Sequence, residues 1–327
     1  MAERNLSIDL IKVIAMFSVI ALHAFGALME WRVANIFYES AVVAVPLFFM
    51  VSGYLMIHKD VDRQYLTKKI YNILRLVGVL SLIVLLFEVV TYGNISVHYF
   101  LKVFLGAFVQ KGPLWMCWYL GAMIILFCFL PLINKIRNRK TYWQIIALFG
   151  IIEIGVFSIN LFPINRFSEI MIPQTFRIWT WLFYFMLGGG LKMLPVIRNK
   201  DYLGSFIIVM MILNVVIQEQ LKQLVNSPFC EYFYCSPHVM AYALGIFLFI
   251  KNKKLTNQYV CRIVKFISPL FLSVYLFHPF IVNIIYSKLP LSQTLLPYAC
   301  FVFTSVITVG LCHLMNKVSF FNRLLKI

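Results

Sequence analysis

The sequence predicts an all-α integral membrane protein, a bundle of about ten transmembrane helices with both termini in the cytoplasm. Three observations carry that prediction. Of the 327 residues, 62% are hydrophobic and 13% charged, about half the charged share of a soluble domain. Ten apolar runs of roughly bilayer-crossing length follow one another along the chain. The basic residues alternate with them: of the 29 Lys and Arg, only Arg32, Lys102, Lys111, Arg166, Arg177, Lys222 and Lys288 fall on one side. Basic residues concentrate in cytoplasmic loops, so the richer side is the inner one. A missed span would scramble the alternation.

The expected spans are residues 6–28, 41–57, 73–92, 114–133, 142–161, 176–193, 203–221, 237–250, 266–286 and 294–314. The first is too long for a cleavable leader, carries Asp9 and Lys12, and lacks a small-residue cleavage site, so it is expected to stay as a signal anchor. The eighth is short. It either begins earlier, near Tyr232, or is a broken helix lining a cavity, which membranes tolerate only beside protein or water. The connections 93–113, 162–175 and 222–236 contain Pro or Gly and several aromatics and are expected to cap the bundle. No repeat or low-complexity tract divides the chain, and residues 1–327 are expected to form one domain.

A net charge of +17 raises the question of a nucleic-acid partner. In a membrane chain the same excess serves cytoplasmic loops and anionic lipid headgroups, and neither a Gly-rich phosphate loop nor a basic run with interleaved aromatics is present. No nucleic acid and no metal are therefore expected; membrane lipids are. Seven cysteines lie mostly inside apolar runs, where they behave as small hydrophobes. Cys230 and Cys235 alone share a polar loop, and they are candidates for pairing if that loop is outside the cell.

The chain is organised around its first apolar run. Lys12 and His23 are eleven positions apart, close to three full helical turns, and so share one face, with Asp9 three residues before Lys12 on the same side. At about 1.5 Å per residue His23 lies roughly 25 Å beyond Leu6, deep in the bilayer. An ionisable ring at that depth faces protein or a water-filled cavity. It is either a neutral ring bonded to a neighbouring helix or a functional group.

Other candidates follow in chain order. Ser52 and Gly53, after Pro46, let another helix approach closely and read first as a packing seam. Lys68, Lys69 and Arg75 stand at the inner mouth of the third span, where positive-inside bias and a phosphate site ask for the same residues. Trp118 and Tyr119 open the fourth span, as an interfacial aromatic belt or as a stacking surface for sugars. Glu153 sits near the midplane of the fifth and reads as a cavity liner. Arg166 and Arg177 flank an external loop, as interfacial anchors or as contacts for an anionic acceptor. His278 precedes Pro279, which frees a carbonyl that an imidazole or water can use.

Taken in order, Asp9 to His23, the 48–54 stretch FFMVSGY, Trp118-Tyr119-Leu120, the 183–188 stretch FYFMLG and the 275–279 stretch YLFHP resemble the acyltransferase family 3 proteins. The resemblance spans essentially the whole chain. It implies a membrane O-acyltransferase that moves acyl groups, usually acetyl, from acyl coenzyme A to carbohydrate hydroxyls at the cell surface. Lys12 and His23, with ten residues between, stand where the family has an Arg and its essential His. Lysine keeps the charge and loses the planar fork. The family's two-arginine motif is diluted here to Lys69, Asn72 and Arg75.

The expected catalytic residues are His23, Asp9, Lys12 and Glu153, with Lys68, Lys69, Arg75 and Ser52 on the coenzyme and Trp118, Tyr119, Arg166, Arg177 and His278 on the acceptor. Acetyl-CoA or another acyl-CoA is expected as co-substrate, with no permanently bound cofactor. A multi-pass place in the plasma membrane and polysaccharide-assembly proteins as partners complete the expectation. A proton-coupled carrier or lipid-linked sugar flippase, and a structural subunit of an export complex, are the alternatives.

Overall fold

The computed structural model describes residues 4–26, 32–59, 61–93, 96–161, 172–195, 201–227, 229, 233–290, 292 and 294–325. Every regular element among them is helical: α1 (Leu6–Phe25), α2 (Val33–Ser40), α3 (Ala44–Met56), α4 (Arg63–Tyr92), α5 (Val97–Phe108), α6 (Trp118–Asn134), α7 (Arg139–Leu161), α8 (Ile178–Lys192), α9 (Asp201–Val225), α10 (Pro237–Lys251), α11 (Gln258–Ile267), α12 (Phe271–Lys288), α13 (Leu296–Lys317) and α14 (Ser319–Leu325). Helices are what lipid selects, because a helix satisfies its own backbone polar groups where no water can.

Among the described residues, eight segments are long and apolar enough to cross a membrane. Two of them are composite: α2 runs through a 3₁₀ turn into α3, and α11 through another into α12. The sixth and eighth expected spans are α8 and α10, of fifteen residues each. At about 22 Å they are shorter than the roughly 30 Å hydrocarbon core. The second span starts earlier than expected, at Val33, and the third at Arg63, so that Lys68, Lys69 and Arg75 are helical residues. Within the 93–113 connection lies α5, which turns Val103, Gly106 and Ala107 inward. Pro46 is the third residue of α3, in the first turn after the 3₁₀ segment.

The helices form an inner and an outer layer. In α1, in α2–α3 and in α6, 67%, 78% and 67% of the apolar window is buried in protein, against 17% in α7 and 22% in α9 and α13. The outer helices therefore present most of their surface to lipid. One end of the bundle gathers the basic segments through backbone carbonyls. Arg4 donates to the Lys265 carbonyl, Ser7 to Lys253, Lys192 to Ile57, Lys251 to Leu191 and Leu194, and Arg75 to Arg323. Lys222 belongs to neither surface. It is fully buried near the other end of α9, its Nζ 2.6 Å from both Glu39 and Glu219, and Asn35 and Asn214 add bonds to Glu219 and to the Glu39 carbonyl. Buried charges persist only when paired in this way.

The inner layer is fixed where α3 crosses α8. A Cβ on Gly53 would lie 1.8 Å from the Phe185 carbonyl oxygen, and one on Gly188 1.9 Å from that of Met50. The two backbones touch, as small residues allow in membranes. Gly53→Ala or Gly188→Ala should destabilise the detergent-solubilised protein by roughly 1–3 kcal/mol, the cost of an overpacked core, and so lower its thermal midpoint. A midpoint equal to wild type would show that the crossing can open without penalty.

Candidate active site

Two cavities enter the bundle, one at the basic end and one at the opposite end. The basic-end cavity is lined by Lys12, Lys59 and Lys69, with Ser52, Tyr119 and Ser268 among its other walls. The opposite cavity is small, about 50 Å³, and partly open to solvent, and His23, His278, Trp115, Trp118, Gln110 and Gln174 are among its lining residues.

Helix α1 supplies both, with Lys12 at the basic-end cavity and Val19, Leu22 and His23 at the other. Asp9, 6% exposed, lies 2.5 Å from Arg4 Nε and 3.1 Å from Lys12 Nζ, while Arg4 also reaches Ser268 Oγ. The carboxylate thereby holds the Lys12 ammonium at the cavity wall and ties α1 to the turn before α12. Eleven residues of helix put Lys12 and His23 roughly 16 Å apart along the axis. The shared face read from the sequence is present, but the two side chains serve different cavities.

The His23 ring packs against the ring of His278, centroids 5.1 Å apart, and edge-on against Trp115 at 5.3 Å. His278 is fully buried; its Nδ1 lies 3.0 Å from the Val274 carbonyl oxygen, and its Nε2 has no partner among the described residues. A carbonyl only accepts, so Nδ1 carries the hydrogen and a neutral His278 has its lone pair on Nε2. Pro279, inside α12, withholds the amide that the Tyr275 carbonyl would otherwise take, and so loosens the helix beside this ring.

Between the cavities stands a partition of aromatic rings. Tyr119 lines the basic-end cavity and Tyr275 the other, and their centroids are 5.6 Å apart. Phe48 touches both, at 5.9 Å from each. Tyr119 and Ser52 share a hydrogen bond of 3.1 Å, and Tyr275 Oη donates to the Met116 carbonyl.

The remaining predicted residues divide. Lys68 lies on another side of α4 from Lys69, in a surface hollow with Arg63, Thr67 and Tyr71. Adjacent helical residues are 100° apart, so only one of the pair reaches the cavity. Arg75 is engaged with the Arg323 carbonyl at 2.9 Å. Glu153 is buried and lines neither cavity; it accepts a hydrogen bond from Thr180 Oγ1 at 3.0 Å, joining α7 to α8. Arg177, 2% exposed, donates to the Ile172 carbonyl rather than facing an open cavity. Arg166 and Cys230 lie outside the described residues, and with Cys230 the pairing with Cys235. Gln110 and Gln174, which the sequence did not single out, line the opposite cavity together with Tyr234.

Comparison with curated proteins and with solved structures gave no match. A family model described as an acyltransferase domain, that of acyltransferase family 3, matches residues 5–315. With nearly the whole chain matched and a membrane helix bundle beneath it, the protein belongs to acyltransferase family 3, a family of acyl-transferring membrane proteins.

Proposed function

We propose that the protein transfers an acyl group, acetyl in the first place, from cytoplasmic acyl coenzyme A to a hydroxyl of a cell-surface or lipid-linked polysaccharide, working in the plasma membrane with its basic end inward. The observation that carries this reading is the pair of cavities, one lined by Lys12, Lys59 and Lys69 and the other by two imidazoles, meeting at one aromatic partition. Ammonium groups suit the phosphates of the coenzyme. The pantetheine arm then points past Ser52 towards Tyr119, and the partition parts to admit the thioester.

His23 is the general base. The acceptor oxygen bonds to the acyl carbon, the carbon–sulfur bond breaks, and the hydroxyl proton passes through the imidazole to the departing thiolate. His278, its Nδ1 committed to Val274, keeps Nε2 as an acceptor beside His23, where a second donor of the acceptor molecule can bond and orient it. Asp9 acts only through Lys12, and Glu153 contributes to packing rather than to the reaction.

His23→Ala should lower acetyl-CoA-dependent acylation by about 10²- to 10⁴-fold while the protein stays folded in detergent. Undiminished transfer would refute the assignment. Lys12→Ala should raise the KM for acetyl-CoA by about tenfold at low salt, the scale of one lost charge-assisted bond, with a smaller effect at high salt. A KM that does not change would remove Lys12 from the coenzyme site.

The closed partition is the one observation that also suits an alternating-access carrier of a lipid-linked sugar. Thiol release from acetyl-CoA by the purified protein separates the two: a carrier releases none with any glycan present.

A further inference from the structure

We propose that Gln174, held in place by Gln110, positions the acyl acceptor, and that the part of the acceptor inside the opposite cavity presents, besides the hydroxyl to be acylated, two further hydrogen-bond donors, hydroxyl or amide N–H. The proposal rests on the reading that this cavity takes the acceptor.

Gln174 lines the cavity, is 3% exposed, and its Oε1 has no hydrogen-bond partner among the described residues. Its backbone is fully engaged. The amide donates to Gln110 Oε1 at 2.9 Å, and the carbonyl accepts from Trp181 Nε1 at 2.5 Å. The side-chain oxygen is therefore presented by a fixed stretch of chain, and it is the side chain alone that is left wanting a donor. Buried acceptors without donors are rare and unfavourable, and such a group in a native cavity calls for a ligand or water.

A second acceptor in the same cavity shares the condition. His278 Nε2 is buried without a partner, and its protonation pattern is set by the Nδ1 bond to Val274. Two unfilled acceptors select a ligand rich in donors, and Trp115, packed edge-on against His23, offers an aromatic wall to the apolar face of a sugar ring. The anchor of Gln174 is itself strained: Gln110 has φ of +63°, in the left-handed region that non-glycine residues seldom occupy. Strain of this kind clusters where geometry is held for function.

The test compares wild type with Gln174→Leu, Gln174→Glu and Gln110→Gly, the last keeping the backbone angle while removing the tether. Methyl glycosides of glucose and N-acetylglucosamine serve as soluble acceptors, with acetylation read by mass spectrometry. Sugar binding is read independently by saturation-transfer NMR on the solubilised protein. Gln174→Leu should raise the acceptor KM about tenfold, weaken the saturation-transfer signal, and leave the KM for acetyl-CoA and the thermal midpoint unchanged. Gln174→Glu, which keeps an acceptor oxygen, should stay within about threefold of wild type. Gln110→Gly should fall between the two. An acceptor KM and a sugar signal unaltered in Gln174→Leu would overturn the proposal. Wild-type protein that binds sugar through Gln174 and yet transfers no acetyl group would sustain the subsite and sink the acyl-transfer reading.

Discussion

The contact on which the rest of the architecture depends is backbone against backbone, where Gly53 meets Phe185 and Gly188 meets Met50. In lipid, apolar side chains gain little by meeting one another, so close van der Waals approach has to hold helices together. That crossing sets the wall of each cavity. From α3 it places Phe48 and Ser52 beside Tyr119, and from α8 it places Trp181 beneath the carbonyl of Gln174. An added methyl group at the crossing would therefore disturb both cavities together.

Around this crossing the polar groups fall into two kinds. Some are spent on architecture: Asp9 between Arg4 and Lys12, Glu153 with Thr180, and Lys222 between two carboxylates. Others are left with capacity, notably His278 Nε2 and Gln174 Oε1. Ionisable character alone does not separate the kinds. Glu153, conspicuous in an apolar run, is bonded to Thr180 away from both cavities, whereas the uncharged Gln174 stands at a cavity wall.

Much of the fold was legible because membrane physics writes it in long, simple signals. The bundle of apolar, membrane-crossing helices is there, and Lys12 and His23 of the first helix both turn inward, each to its own cavity. Short, protein-enclosed helices were harder: α8 is buried along nearly its whole length, and Lys251 at the end of α10 bonds the Leu191 and Leu194 carbonyls at the end of α8, so fifteen residues suffice where hydropathy would ask for twenty. The site was legible only in part. Lys69 and Lys68 look alike in sequence and are separated by helical phase alone. Gln110 and Gln174 are 64 positions apart, in connections without periodicity, and meet through a side chain-to-backbone bond that no local pattern announces. A glutamine two residues after a helix end carries no signal until its partner is known.

The ring wall of Phe48, Tyr119 and Tyr275 has a consequence for the cell as well as for the reaction. Two aqueous pits reaching towards each other would, if joined, let ions run down the transmembrane voltage. Phenol and phenyl rings packed edge to face keep that path shut with a wall only a few side chains thick. The same three side chains therefore set the insulation, and any change that opened a way between the two pits would bring the risk of leakage with it.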